Sequence, residues 1–244
     1  MTPAGFPGFA AAGEGVLVRR GFESEARAWR AALDAPAPAR EPGSAGRGGA
    51  RALPIAPGGR AWLKIYRHGG LLGRLLGEVY WDHPSRPLRE LAATEAARAC
   101  GVVAPEVLAA IVLPVGRPFT GFYRAALVTR EIAGRRSLAD ALRSDPDERE
   151  RADRIGRCWD VLRRLHRCGI RHRDANATNF LCGAAGEDPA LIDFDGAVVG
   201  TAPVGRIGRS FARRRLARSI GKLGLAGFDR GRVATLLDAR EASS

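Results

Sequence analysis

The residues best suited to chemistry fall in two short strings. His172-Arg173-Asp174-Ala175-Asn176-Ala177-Thr178-Asn179 reads H-R-D-x-x-x-x-N, and Ile192-Asp193-Phe194-Asp195 follows it. Phosphoryl transfer from ATP needs this combination: one carboxylate beside the attacking hydroxyl, with an amide oxygen and a second carboxylate holding Mg²⁺ on the phosphates. Asp174 is the candidate base, or hydroxyl-positioning carboxylate. Asn179 and Asp193 are the candidate Mg²⁺ ligands, since that ion prefers hard oxygen donors. His172 reads as a brace for the loop rather than a participant. Asp174 and Asn179 share one short loop. Phe180-Leu181 and Leu191-Ile192 flank a turn-rich segment, Gly183 to Pro189, which reads as a hairpin returning Asp193 to the side of Asn179. An isolated H-x-D means little, but here the loop spacing, the hairpin and the Asp193-Phe194 pair agree.

The phosphates of ATP also need a cation. Trp62-Leu63-Lys64-Ile65-Tyr66 alternates as a strand does, so Lys64 shares a face with Trp62 and Tyr66. Lys64 and Lys222 are the only lysines in a chain that otherwise uses arginine. Lys64 is therefore the candidate grip on the α- and β-phosphates. Its carboxylate partner is expected from the helix read over Pro87 to Cys100, with Glu90 first and Glu95 second. Gly46, Gly48 and Gly49 precede a strand and could cradle phosphates through backbone N–H groups. A flexible loop accounts for the same composition.

The elements that must position these groups follow a simple order. Residues 1–21, rich in Gly and Ala, are expected to be poorly ordered. Ser24 to Leu33 has helical composition, Ala35 to Gly49 is a Pro/Gly-rich loop, and strands are read at Ala50 to Ile55 and Ala61 to Tyr66. Val102 to Val115 holds short apolar runs broken by prolines, and Phe122 to Ile132 is a further strand. Ser137 is a plausible N-cap for Leu138 to Leu142. Ile155, Trp159, Leu162 and Leu165 mark a helix from about Ala152 to Arg167, ended by Gly169. Strands and one helix first, then mostly helices, predicts an α+β, protein-kinase-like, two-lobed fold. Its small β-rich N-lobe, residues 1–132, would bind the nucleotide. Its larger, mostly helical C-lobe, residues 133–244, would carry the catalytic loop, the metal motif and a basic C-terminal helix.

Composition narrows the partners. The 244 residues hold 39 Lys+Arg against 26 Asp+Glu, a net charge of +13. Such a chain is drawn to anionic partners. No nucleic-acid-binding module is recognisable, so nucleic acid is not the expected one. Near the C-terminus Ala212, Leu216, Ile220 and Leu223 form one helical stripe, with Arg214, Arg215, Arg218 and Lys222 roughly opposite. A basic amphipathic helix suits an anionic membrane surface or a phosphorylated glycolipid. It equally suits a helix packed by its stripe onto the large lobe, and the two readings are compatible. The start of the chain has no basic segment followed by a sustained apolar run, so a cytoplasmic protein is expected. The four cysteines, Cys100, Cys158, Cys168 and Cys182, lack metal-like spacing and read as free, mostly buried thiols.

These segments together resemble the lipopolysaccharide core kinases of the 3-deoxy-D-manno-octulosonic acid (Kdo) kinase type. Leu63-Lys64-Ile65-Tyr66 with the following Arg67 to Leu75, Arg86-Pro87-Leu88-Arg89-Glu90, Gly169 to Asn179, and Ile192-Asp193-Phe194-Asp195 carry the likeness. It implies ATP-dependent, Mg²⁺-dependent phosphorylation of a Kdo hydroxyl on Kdo-lipid A at the cytoplasmic face of the inner membrane. Three other readings compete. A protein Ser/Thr kinase would carry a lysine where Asn176 stands, a glycine at Asp195 and an A-P-E segment beyond. A heptose kinase of the same fold would share every motif here. A pseudokinase would bind Mg·ATP without turnover.

Overall fold

A computed structural model of the chain describes residues 6, 8–13, 15–35, 50–56, 58–66, 86–115 and 122–242. The chain divides into two compact units, one of residues 1–91 and 106–131 and one of residues 92–105 and 132–244.

The first unit is built on strands β1 (Phe9–Ala11), β2 (Val16–Arg19), β3 (Ala50–Pro54), β4 (Arg60–Ile65), β5 (Val107–Pro114) and β6 (Tyr123–Arg130). They pair antiparallel in the order β1-β2-β5-β6-β4-β3. Alternation along β4 sends Ala61, Leu63 and Ile65 into one core, where they meet Trp29 and Leu33 of helix α1 (Ala26–Asp34). Tyr66 lies with Leu91 and Leu127 in a second core. Leu91 belongs to helix α2 (Arg86–Ala99). Buried Arg51 donates to the carbonyls of Ala32 and Ala35 at 2.5 and 2.6 Å, satisfying acceptors at the end of α1.

Two expectations are corrected here. Poor order over residues 1–21 does not hold for Phe9 to Arg19, which form the β1–β2 hairpin. Val16, Leu17 and Val18 are buried and pair with β5, and Gly15 passes so close that a Cβ would sit 2.0 Å from the Val112 carbonyl oxygen. The Gly/Ala composition therefore serves a close approach. The apolar runs of Val102 to Val115 join into one eight-residue strand, because Pro105 precedes it and Pro114 is its last residue.

The second unit holds helices α3 (Leu138–Ser144), α4 (Glu148–Arg167), α5 (Arg206–Gly221) and α6 (Arg230–Ala242). Between them run short strands β7 (Arg136–Ser137), β8 (Ile170–Arg171), β9 (Phe180–Cys182), β10 (Ala190–Leu191) and β11 (Val198–Val199). Ser137 caps α3 as expected, its Oγ accepting from the Asp140 N–H. Helix α4 begins four residues before the expected Ala152. Its first turn, Glu-Arg-Glu-Arg, has no apolar residue to mark it, and Asp147 supplies the cap, accepting from the Arg149 N–H at 2.9 Å. The stripe of Ile155, Trp159, Leu162 and Leu165 packs in one core with Leu216, Ile220, Val233 and Leu237 of α5 and α6.

Gly169 ends α4 with φ 75°. A Cβ there would stand 2.6 and 2.7 Å from the carbonyl oxygens of Gly200 and Ala202, so this turn admits only glycine. The cysteine expectation is half corrected. Cys158 and Cys182 are free and buried, but Cys100 and Cys168 are disulfide-bonded. Cys100 follows α2 and Cys168 caps α4; these two helix ends meet, with the Cα atoms 6.5 Å apart.

His166, near the end of α4, is buried against Trp159, and neither ring nitrogen has a hydrogen-bond partner among the described residues. Burial, aided by the charge of Arg209, pushes it down to about 4. The unfolded chain, with His near 6.5, takes up the proton first. This contribution is complete above about pH 6.5 and is lost as pH falls toward the folded value, on the order of 3 kcal/mol in all. Urea unfolding at pH 7 and pH 5 should therefore show a drop of about 2 kcal/mol that His166→Phe removes. An equal drop in the variant would assign the acid sensitivity elsewhere.

Candidate active site

Three clusters bring together most of the residues singled out by sequence. The first lies in the first unit. Lys64 Nζ is 3.0 Å from both oxygens of Glu90, and the Tyr66 hydroxyl also donates to Glu90. Glu90 is buried, and a buried carboxylate is tolerated only when its oxygens are matched this fully. Strand alternation places Lys64 over the Tyr66 ring at 5.1 Å, on the face expected for it. Glu95 is instead an i,i+3 partner of Arg98 at 4.0 Å. Tyr66 is the member that sequence reasoning left without a role. Its signal was present, because it shares the face of Lys64. Gly46, Gly48 and Gly49 lie outside the described residues, as does the 67–75 stretch.

The second cluster is the loop between β8 and β9 in the second unit. Asn179 Nδ2 donates to the Asp174 carbonyl at 2.8 Å and approaches its Oδ2 at 3.4 Å. Asn176 Nδ2 donates to the same Oδ2 at 3.0 Å, while its own Oδ1 accepts from the N–H groups of Thr178 and Asn179. The loop is thus held from inside by Asn176, a residue not foreseen. It is held from outside by the Ala139 N–H on the Ala177 carbonyl and by Ser219 Oγ of α5, which accepts from the Ala177 N–H at 2.9 Å.

The third cluster joins this loop to the second string. β9 and β10 pair as the expected hairpin, with Leu181 opposite Ala190 and Phe180 opposite Leu191. The Ile192 N–H then bonds the Asn179 carbonyl at 2.9 Å, which carries Asp193 back to the loop. Buried His172 lies 3.2 Å from the Ile192 carbonyl through Nε2 and stands edge-on to Phe194 at 5.0 Å. Burial pushes His172 below its ordinary range, against smaller opposing effects of the Ile192 carbonyl and of Asp193 and Asp174. It is neutral at pH 7, so Nε2 carries the proton given to Ile192. Asp193 is the one non-glycine residue with positive φ among the described residues, at 64°.

Asp174 Oδ1 accepts from Arg215 Nη1 of α5 at 3.1 Å, with both side chains about half exposed (54% and 49%). An ion pair this exposed contributes about 0.2–1 kcal/mol. Asp174 and Arg215 line a cavity of about 710 Å³ formed by the loop and α5. Seven arginine and lysine side chains line it, and Asp174 is its only carboxylate among the described residues.

The family model for "Lipopolysaccharide kinase (Kdo/WaaP) family" matches residues 40–231. The chain belongs to this family. It is therefore an ATP-dependent kinase, and its family supports phosphorylation in the lipopolysaccharide core. It is 31% identical over 169 residues to a 3-deoxy-D-manno-octulosonic acid kinase of Vibrio vulnificus, covering 66% of this chain and 68% of that one. With the enzyme of that name from Stenotrophomonas maltophilia it shares 35% over 196 residues, 76% and 71% of the two chains. The solved structure of WaaP in complex with acyl carrier protein superposes with a TM-score of 0.57 at 20% identity, covering 92% of this chain and 88% of that one. The fold is protein-kinase-like, as the order of strands and helices predicted.

Proposed function

We propose that this kinase transfers the γ-phosphoryl group of ATP to a hydroxyl of the Kdo sugar on Kdo-lipid A. The observation that carries the reading is the half-exposed Asp174 carboxylate, held by Asn176 and Asn179, in the wall of a large cavity that seven arginine and lysine side chains also line. Kdo is a sugar acid, and lipid A is anionic and amphiphilic, so the acceptor matches that lining. The sugar named for the relatives supports the same choice.

Asp174 accepts the proton of the acceptor hydroxyl as its oxygen attacks the γ-phosphorus. The bond from that phosphorus to the bridging oxygen of ADP breaks, and the proton passes from Asp174 to solvent. Lys64, fixed by Glu90 and Tyr66, grips the α- and β-phosphates. The donor set suits Mg²⁺. Asn179 commits its Nδ2 to the loop, which leaves its Oδ1 uncommitted there, and this oxygen and the carboxylate of Asp193 are the two hard oxygen donors that would hold the ion. Among the described residues no group of three or more His, Cys, Asp or Glu could hold a metal alone, so phosphate and water oxygens would have to make up the rest of its donors. When bound, the ion supplies charge neutralisation on the phosphates.

No described helix is long and apolar enough to cross a membrane. Contact with an anionic membrane surface is supported by α5, where Ile207 and Phe211 are 76% and 64% exposed, four residues apart, beside the arginines. The test is transfer of labelled γ-phosphate from Mg·ATP to Kdo-lipid A, to heptosylated core and to a protein substrate. Label on Kdo-lipid A is the expected result. Label on heptose or protein alone would overturn the sugar.

A further inference from the structure

The cations of the cavity are unequally engaged. Arg171, Arg173, Arg214, Arg218 and Lys222 make no ion pair among the described residues, and Arg215 pairs with Asp174 alone. A cluster of like charges beside one carboxylate is unfavourable in the empty protein and becomes favourable when anions enter. More than one anionic group is needed to balance it. The carboxylate and phosphates of an acidic, phosphorylated glycolipid would do so.

Arg215 is the member placed to sense that filling. Asp174 Oδ2 is taken by the two loop amides, so Oδ1 is the oxygen left to receive an acceptor hydroxyl, and the Arg215 guanidinium stands against it. The contact is a single Nη1–Oδ1 bond rather than a bidentate pair, on a half-exposed, flexible side chain. Neighbouring Arg214 and Arg218 would draw an acceptor anion to the same turn of α5. Ser219, one turn beyond Arg215, holds the helix to the loop, so the guanidinium can swing while its backbone stays fixed.

We propose that Arg215 is an acceptor-exchanged latch: it covers Asp174 in the absence of acceptor and transfers to an anionic group of the acceptor when the cavity fills. The inference rests on the acceptor reading above. It gives Arg215 two duties, binding the acceptor anion and keeping Asp174 from directing water at ATP. The energetic requirement is modest, because one charge-assisted contact is exchanged for another in a field that favours the anion.

The experiment compares wild type, Arg215→Ala and Arg215→Lys in the full chain, after thermal unfolding has shown equal stability. KM for Kdo-lipid A, KM for ATP and ADP release without acceptor are measured separately. In Arg215→Ala we expect KM for Kdo-lipid A to rise about 3–30-fold, the size of a charge-assisted hydrogen bond to the acceptor less the exposed Asp174 contact given up for it. KM for ATP should stay unchanged. Acceptor-free ADP release should rise several-fold and vanish again in the Asp174→Asn, Arg215→Ala double variant. Arg215→Lys should recover part of the acceptor KM. A fall in kcat alone, with acceptor KM and acceptor-free turnover unmoved, would make Arg215 a mere brace for Asp174 and overturn the latch. If wild type labels heptosylated core instead, the Kdo reading fails, and the same comparisons on that acceptor still decide the latch. If wild type labels none of the acceptors, acceptor-free ADP release decides it, and no rise in Arg215→Ala overturns it.

Discussion

Phosphoryl transfer by an Asp174→Asn protein is expected to fall about 10³-fold while its fold and its KM for ATP stay unchanged, since a positioned general base contributes about 10²–10⁴-fold. Asparagine keeps the size of the side chain and can still accept from Asn176 through one oxygen. Its other terminal atom becomes an N–H₂ facing the Arg215 guanidinium, donor against donor, and it can no longer take a proton. Asp174 is about half exposed, so the fold loses little by the change; unfolding in urea should agree with wild type within about 1 kcal/mol. The assay is single-turnover transfer from labelled ATP to Kdo-lipid A, beside equilibrium binding of Mg·ATP. Transfer at more than a tenth of the wild-type rate would remove Asp174 from the chemistry. Loss of ATP binding together with transfer would point instead to a collapsed loop.

The second large effect is expected at Asp193, where stability and activity should separate. With φ at 64°, its backbone lies in the left-handed region, which costs a side-chain-bearing residue of the order of 1 kcal/mol or more and glycine almost nothing. At an ordinary position alanine is the more stable replacement, by roughly 0.5–1 kcal/mol. Here the order should reverse, with Asp193→Gly about 1 kcal/mol more stable than Asp193→Ala. Both variants should lose transfer by at least about 10²–10³-fold, because each removes the carboxylate proposed for the Mg²⁺-bound phosphates. The measurements are urea unfolding of both proteins and transfer at saturating Mg·ATP. An alanine variant as stable as the glycine variant would deny the strain. Activity surviving in either would deny the metal role. The residue would then be held in a costly conformation without the carboxylate that gives a reason for it.

Local features were readable because they depend on residues close in the chain. The H-R-D-x-x-x-x-N spacing placed Asp174 and Asn179 in one loop, and they do share hydrogen bonds there. Alternation around Lys64 predicted its face, the apolar runs around Gly183 to Pro189 predicted the hairpin, and Ser137 was recognisable as a cap. The stripe of α4 was readable from Ile155 onward, but its charged first turn was not, since periodicity reports burial and that turn has no apolar residue. The choice of Glu90 over Glu95 was suggested but not decided, because both lie on one helix and only the contact with the strand separates them.

What the sequence by itself determined is the candidate set and its local frame: a carboxylate, an amide, a second carboxylate and a lysine, each placed by spacing and alternation. What only the tertiary structure decided is which distant groups meet those residues. Cys100 finds Cys168 across 68 residues, Ser219 finds the Ala177 N–H across 42, and Arg215 finds Asp174 across 41. In a chain with so many arginines, no rule of residue type selects Arg215 over its neighbours. The selection is made by the burial of Ala212, Leu216 and Ile220, which fixes the rotation of α5 and hence the guanidinium that comes to rest on the loop carboxylate.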